Sequence, residues 1–454
     1  MQKVHLIAIG GSAMHNLALA LNEAGYHVTG SDDEINEPSR GRLQKAGLLP
    51  AEIGWFPDKL DAGIGAVILG MHAREDNPEL LRAKELGLKI YSYPEYIYEA
   101  TKHMTRIVIG GSHGKTTITS MILHVFKACS IKAAFLVGAQ LEGFTTMVNL
   151  DQDAQFAVIE GDEYLASPID RRPKFHLYHP HIAVLSGIAW DHINVFPTFD
   201  NYVEQFREFI RLIEAGGRVI YSVDNTVLSN LCEEKPNPAI TYLPYGVPAH
   251  QIENGITYLE ATEGKTELKI FGEHNLMNLN AAWEVCRAAG ISRSQFLAAI
   301  QTFKGASKRL ELVRAEGTFS FYKDFAHSPS KLKATINAVK KQFPNRRLVA
   351  CMELHTFSSL NEAFLKTYAH AMDEADEALV YYNPHTIAHK RLAPISETQV
   401  KTAFERADLQ VYTESHHIVS LLQSKHWDNS VLLMMSSGNF DGIDFSKLAE
   451  TLLH

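Results

Sequence analysis

Apolar and polar positions along the chain recur in one order: a short apolar run, a Gly-rich turn, then a segment with the helical period. Val4–Ile9 predicts a strand, Gly10–Gly11 a turn, and Met14, Leu17, Ala18 and Leu21 one apolar helix stripe. Tyr26–Gly30 predicts the next strand, ending at Ser31–Asp32, and Val67–Leu69 and Lys89–Tyr91 continue the alternation. Over Pro94–Met104 the periodicity lapses, and this polar, aromatic stretch is expected to connect two domains. The order then restarts with Arg106–Ile109, a glycine-rich turn, and Ile118, Met121, Ile122 and Val125 on one helix face. Strands are expected at Phe156–Ile159, Ile182–Leu185 and Arg218–Tyr221, with a helix after Gly272–Asn275. A third block, from near Lys308, has expected strands near Phe319–Tyr322, Leu348–Met352, Ala378–Tyr382 and Val431–Met435. The pattern predicts an α/β chain of three domains, 1–100, 101–306 and 307–454.

Composition narrows the classes. The 454 residues, 46% hydrophobic and 21% charged, exclude wholesale disorder. A net charge of −9 argues against broad binding of nucleic acid or anionic membranes. Cys129, Cys232, Cys286 and Cys351 lie far apart without a C-x-x-C, so neither a disulfide framework nor a thiolate zinc site is expected. The opening residues lack a signal-peptide pattern, and no apolar run approaches the roughly twenty residues of a membrane span. The expectation is a cytoplasmic protein.

The strongest local chemistry is Gly110-Gly-Ser-His-Gly114-Lys115-Thr116 between a strand and a helix. Backbone N–H groups of such a turn close around phosphate oxygens, a lysine reaches the terminal phosphates, and a hydroxyl can ligate Mg²⁺. The motif is one residue shorter than G-x-x-x-x-G-K-[ST], since Ile109 stands where its first glycine would be. Glu160 closes one expected strand and Asp191–His192 follows another, and ligands gather at such carboxyl ends. In the first domain Ala8, Gly10 and Ala13 occupy the three glycine positions of a dinucleotide fingerprint, and Asp32 ends the next strand. Taken alone, that weak match leaves a nicotinamide-dependent dehydrogenase open for this domain.

Six motifs occur in one family's order: Gly111–Thr117, Glu160-Gly161-Asp162-Glu163, Asp191-His192, Gly272–Asn275 with Asn278, Lys308–Glu311, and Asp324–His327. Together they resemble the Mur ligases, ATP-dependent enzymes that form amide bonds in cell-wall synthesis. The resemblance runs along essentially the whole chain. It implies a Rossmann-like N-terminal domain that binds UDP-N-acetylmuramate, a P-loop-type central ATPase domain and a Rossmann-like C-terminal domain for the amine substrate. ATP and Mg²⁺ are the implied cofactors. Gly111, Ser112, His113, Gly114, Lys115, Thr116 and Thr117 would cradle ATP phosphates, and Thr116, Glu160 and His192 would place Mg²⁺. His274, Asn275 and Asn278 would hold the adenine side, Asp324 the ribose and Arg309 the transferring phosphate. For His274 and Asn275 alone, helix capping is the competing explanation. Gly10, Gly11, Ser12, Ala13, Met14, Ser31, Asp32 and His72 would bind the UDP-sugar. Lys115, His192, Arg309 and His327 form the implied catalytic set. Ser328 stands where a second histidine is usual, and no lysine lies between Ile193 and Glu214 to support a second metal site.

Within the family, Asp170-Arg171-Arg172-Pro173-Lys174-Phe175 and Asp324-Phe-Ala-His327 resemble the branch whose acceptor is L-alanyl-γ-D-glutamyl-meso-diaminopimelate, a recycled murein tripeptide. His355 in Met352–Ser358 instead resembles the branch that adds free L-alanine. Arg171, Arg172, Lys174, Glu353, His355, Ser358 and Asn439 are the expected acceptor-binding residues. A P-loop NTPase without ligase activity is the alternative from another class.

Overall fold

Four parallel strands, β1 (Lys3–Ile7), β2 (His27–Ser31), β3 (Ile64–Leu69) and β4 (Ile90–Ser92), form the first sheet in the order β2-β1-β3-β4. The structure is a computed structural model and describes residues 2–139, 144, 146–190, 195–262, 264–306 and 309–452. Pro94–Met104, expected to lack helical periodicity, is largely helical. Tyr93–Thr101 is a helix whose Ser92 and Glu95 form a reciprocal capping box. Pro94 sits in the first turn, where its missing N–H is harmless, and Tyr93, Tyr96 and Ile97 are buried.

The second sheet contains β5 (Thr105–Gly110), β6 (Ala133–Leu136), β7 (Val148–Asn149), β8 (Phe156–Glu160), β9 (Ile182–Leu185), β10 (Arg218–Ser222) and β11 (Thr241–Tyr245). Its order is β11-β10-β9-β5-β8-β6-β7, parallel except for β7. Ile107, Val108 and Ile109 on consecutive positions are all fully buried, as expected of a parallel strand covered on both faces. One apolar cluster runs from Val4 and Leu17 of the first sheet's layer to Val108, Phe206 and Val219 of the second. Asn16 crosses the seam, its Oδ1 accepting from Met147 N–H at 3.3 Å and from Arg42 at 3.2 Å.

An antiparallel ribbon, β12 (His250–Glu253), β13 (Ile256–Ala261) and β14 (Gly264–Leu268), precedes the helix Glu273–Ala288. The last sheet holds β15 (Glu311–Glu316), β16 (Phe319–Asp324), β17 (Arg347–Glu353), β18 (Glu377–Tyr381), β19 (Gln410–Tyr412) and β20 (Ser430–Met435). Its order is β15-β16-β20-β17-β18-β19, with only β15 antiparallel. The final strand is thus inserted between β16 and β17, which brings three strand ends together.

The chain groups into two units, Met1–Val247 with Met277–Ile300, and Pro248–Leu276 with Gln301–His454. In the second, Gln342 ties the ribbon down, accepting from Thr257 Oγ1 at 2.9 Å and donating to Gly255 O at 2.7 Å. Among the described residues no helix is long and apolar enough to cross a membrane.

Candidate functional site

In the first unit, β5 ends in Gly110 and the chain turns through Gly111 (φ +113°) and Gly114 (φ +80°) into the helix Lys115–Ala128. Both glycines are required by their neighbours as well as by φ. A Cβ on Gly111 would lie 2.4 Å from Ser186 Oγ, and one on Gly114 2.4 Å from Asn278 Oδ1. The turn is latched to the segment after β9. Ser112 N–H donates to Gly187 O at 3.0 Å, and its hydroxyl exchanges hydrogen bonds with Ala189 O and N–H at 2.9 and 2.7 Å. Ser186 Oγ donates to the carbonyl of His113, whose ring is exposed. Thr117 is buried in the first helical turn.

Lys115 Nζ turns back over this loop, donating to Gly111 O at 2.8 Å and to both Glu163 oxygens at 2.9 and 3.1 Å. Glu163 Oε1 also accepts Gly111 N–H at 3.0 Å, and the residue is 2% exposed. Burial opposes charge on Lys115, but the facing Glu163 carboxylate outweighs it and holds the ammonium above its ordinary range. On Glu163 burial dominates and pushes the carboxyl up against the pull of Lys115. Asp162 is only half-buried, and against the desolvation it does suffer Lys174 at 2.7 Å keeps its carboxyl below the usual range.

Thr116 Oγ1 donates to Glu160 Oε1 at 2.9 Å, and Glu160 Oε2 accepts Gly138 N–H at 2.8 Å. A hydroxyl and a carboxylate side by side at a phosphate loop fit Mg²⁺, which prefers oxygen donors and takes few from protein. No cluster of three or more His, Cys, Asp or Glu side chains forms a metal cage among the described residues. Asp191 and His192 lie outside the described residues.

The first sheet carries a second glycine turn. Asp32 Oδ2 accepts Gly10 N–H at 2.7 Å, and Gly11 caps the helix Ser12–Glu23. Ser12 and Ala13 are exposed at that helix start, whereas Met14 is buried in the core. Ser31 is fully buried and its hydroxyl accepts from Lys59 Nζ at 3.0 Å. His72 is exposed on the segment after β3.

The second unit gathers two groups. Asp324 ends β16 and accepts N–H bonds from Leu310 and Ala326, each at 2.7 Å. His274 faces Asp324 and Arg309, its ring held below its ordinary pKa by burial, and the Arg309 guanidinium lies 4.8 Å from the Phe325 ring centroid. Asn275 lies inside the helix rather than at its cap, its amide donating to Phe271 O at 2.9 Å. Asn278 belongs to the first unit, against Gly114. His327 Nδ1 contacts Phe325 O at 2.8 Å, and the His327 carbonyl accepts the Tyr368 hydroxyl.

At the neighbouring strand ends, the 2%-exposed Glu353 accepts Phe440 N–H at 2.8 Å and the Ser436 hydroxyl, with His355 Nδ1 3.5 Å away. The Tyr381 and Ser437 hydroxyls here are buried without a hydrogen-bond partner, and burial pushes the Tyr381 phenol up to about 12. Ser358 and Asn439 are exposed on the flanking turns. Arg171, Arg172 and Lys174 fall in the first unit instead. Arg172 pairs with Asp170 and Glu95, and Arg171 and Arg172 line a cavity of about 490 Å³ with His176, His179, Gln205 and Glu208. Glu163, Ser186, Ser436 and Tyr381 were not among the expected site residues; only Glu163 had a sequence signal, as part of the acidic cluster after β8.

Residues 3–105 match the Mur ligase family catalytic domain, residues 109–286 the Mur ligase middle domain, and residues 308–438 the Mur ligase glutamate ligase domain. The UDP-N-acetylmuramate–L-alanine ligase of Limosilactobacillus reuteri is 30% identical, over 83% of this chain and 84% of the relative. The UDP-N-acetylmuramate–L-alanyl-γ-D-glutamyl-meso-2,6-diaminoheptandioate ligase of Haemophilus influenzae is 27% identical over 98% of each chain. The crystal structure of a murein peptide ligase from Psychrobacter arcticus has the same fold, with a TM-score of 0.63 and 23% identity over 100% of this chain and 99% of that one. The chain belongs to the Mur ligase family. It is an ATP-dependent ligase that forms amide bonds.

Proposed function

We propose that the chain joins the lactoyl carboxylate of UDP-N-acetylmuramate to the L-alanine amine of L-alanyl-γ-D-glutamyl-meso-diaminopimelate, in the cytoplasm, with ATP and Mg²⁺. The observation that carries the chemistry is Lys115 folded over the phosphate loop beside the Thr116–Glu160 oxygen pair. The lactoyl carboxylate attacks the γ-phosphate, ADP leaves, and an acyl phosphate forms. The amine then attacks the acyl carbon, loses a proton, and phosphate departs as the amide closes. Mg²⁺ would be held by Thr116 and Glu160, with His192 as the expected third ligand, and would supply charge neutralisation between the two anions. Lys115 and Arg309 screen the same repulsion, so most of the protein's contribution is positioning.

We assign residues 1–100 to the UDP-sugar, with Gly10–Met14 at its diphosphate and Ser31, Asp32 and His72 flanking the uridine, residues 101–306 to ATP, and 307–454 to the acceptor. His274 and Asp324 are proposed to approach the nucleoside, and Arg309 the transferring phosphate. His327 and Glu353 are the proposed groups to receive the amine's proton. Support for the tripeptide comes from the connection after Glu160, which folds around an Leu165–Pro173 bridge and presents Arg171 to solvent. The competing acceptor, free L-alanine, is favoured by His355 beside Glu353. Phosphate release with ATP, Mg²⁺ and UDP-N-acetylmuramate decides between them: faster release with the tripeptide supports the proposal, and faster release with L-alanine overturns it.

A further inference from the structure

Three acids, Glu160, Asp162 and Glu163, converge on a loop whose task is to receive a polyanion, and they are not equivalent. Glu160 engages Thr116 and Gly138 N–H, and Asp162 is neutralised by Lys174. Glu163 alone reaches inside the loop. It takes the N–H of Gly111 and caps the ammonium of Lys115 with both oxygens, while almost wholly shielded from solvent. Those donors are the ones a glycine-lysine loop offers to a phosphate oxygen.

We propose that Glu163 is a resident anion of the phosphate cradle, so that nucleotide binding exchanges one anion for another and Glu163 sets the affinity for ATP. This rests on the reading of Gly110–Thr116 as the phosphate loop. In the nucleotide-free protein the carboxylate keeps a largely buried ammonium paired, which an empty cradle could not do without leaving a desolvated charge alone. When triphosphate enters, Lys115 and Gly111 N–H change partners, and Glu163 must give way or face a like charge at contact distance. The residue is a positioning residue: it acts through Lys115 and the loop, not on the reacting atoms.

The consequence is an opposition of sign that an ordinary structural carboxylate does not produce. Glu163→Gln should lower the melting temperature of the nucleotide-free protein yet tighten binding of the non-hydrolysable β,γ-imido analogue of ATP. By titration calorimetry on the full chain, the expected gain is about tenfold in Kd without added metal and a smaller gain with Mg²⁺. Asp162→Asn removes the same charge outside the cradle and should change Kd by less than about twofold. Equal or weaker binding by folded Glu163→Gln overturns the proposal, and so does an equal gain in Asp162→Asn, which would mean a general charge effect. If Glu163→Gln does not fold, Glu163→Asp serves. The shortened side chain keeps its charge but cannot span Gly111 and Lys115 together, so tighter analogue binding is again expected and unchanged binding overturns the idea. Lys115→Ala separates the two readings, because unchanged analogue binding in that variant would remove the phosphate loop itself.

Discussion

The first unit contains the same strand–glycine–helix turn twice, and the two copies differ in what stands at the helix start. After β1, Gly10 N–H is bound by Asp32 from the end of the adjacent strand β2; after β5, Gly111 N–H is bound by Glu163 just past the adjacent strand β8. Both are anion-shaped nests occupied by the protein's own carboxylate. The second has Lys115 at the first helical position and Thr116 paired with Glu160. The first begins Ser12-Ala13-Met14 and has no charged residue in its first turn. A glycine turn therefore supplies a place for an anion, whereas a cation and a metal-ready oxygen pair make it a place where phosphate can be transferred.

The largest expected effect tests that distinction directly. Lys115→Ala should lower kcat/KM for phosphate release by at least about 10³-fold and leave UDP-N-acetylmuramate affinity, read by calorimetry, unchanged. Loss of both would mean that the two turns are not independent. Next, Glu160→Gln should raise the Mg²⁺ concentration for half-maximal rate by about tenfold or more, while Asp32→Asn leaves that titration alone. An unchanged titration in Glu160→Gln would remove it as a metal ligand. Gly111→Ala should destabilise the chain by about 1–3 kcal/mol in urea melts, since φ is +113° and Ser186 Oγ is in the way. Gly11→Ala meets nothing nearer than 3.5 Å and should cost less than about 0.5 kcal/mol. Its UDP-sugar affinity then reports crowding of the ligand alone.

What the sequence revealed follows the same division. Strands β5, β8, β9 and β20 were legible because they are buried on both faces and read as unbroken apolar runs. The ribbon β12–β14 was not, since His250–Glu253 is largely exposed and polar and has no apolar face to show. Tyr93–Thr101 was hidden by Pro94, which usually signals an interruption but here starts a helix. At the site, Lys115, Thr116 and Glu160 carry chemistry in residue type and spacing, so a linear reading reaches them. Glu163 is one acid among three until the fold buries it against Lys115. Tyr381 and Ser436 become neighbours of Glu353 only because β20 inserts beside β17 and β18 pairs on its other edge.

A small effect of the opposite sign concerns Asp32, the acid that holds a glycine turn without a lysine over it. Burial pushes its carboxyl above the ordinary range, and the N–H bonds from Gly10 and Glu34 oppose that only in part. A folded-state value above the unfolded one means that the folded chain takes up this proton more readily. The associated stability is present at pH below the unfolded value and is lost as pH rises through the folded one. At neutral pH the ionised group therefore weighs against folding, in contrast to Asp162, whose carboxyl Lys174 holds below the ordinary range. Asp32→Asn keeps an oxygen to accept Gly10 N–H and removes the titration. It should leave the urea midpoint at neutral pH unchanged or raise it, by no more than about 1 kcal/mol, and flatten the loss of stability above the carboxylate range. A clear drop at neutral pH would mean that the charge itself closes the turn, and that Asp32 resembles Glu163 more closely than the absence of a lysine implies.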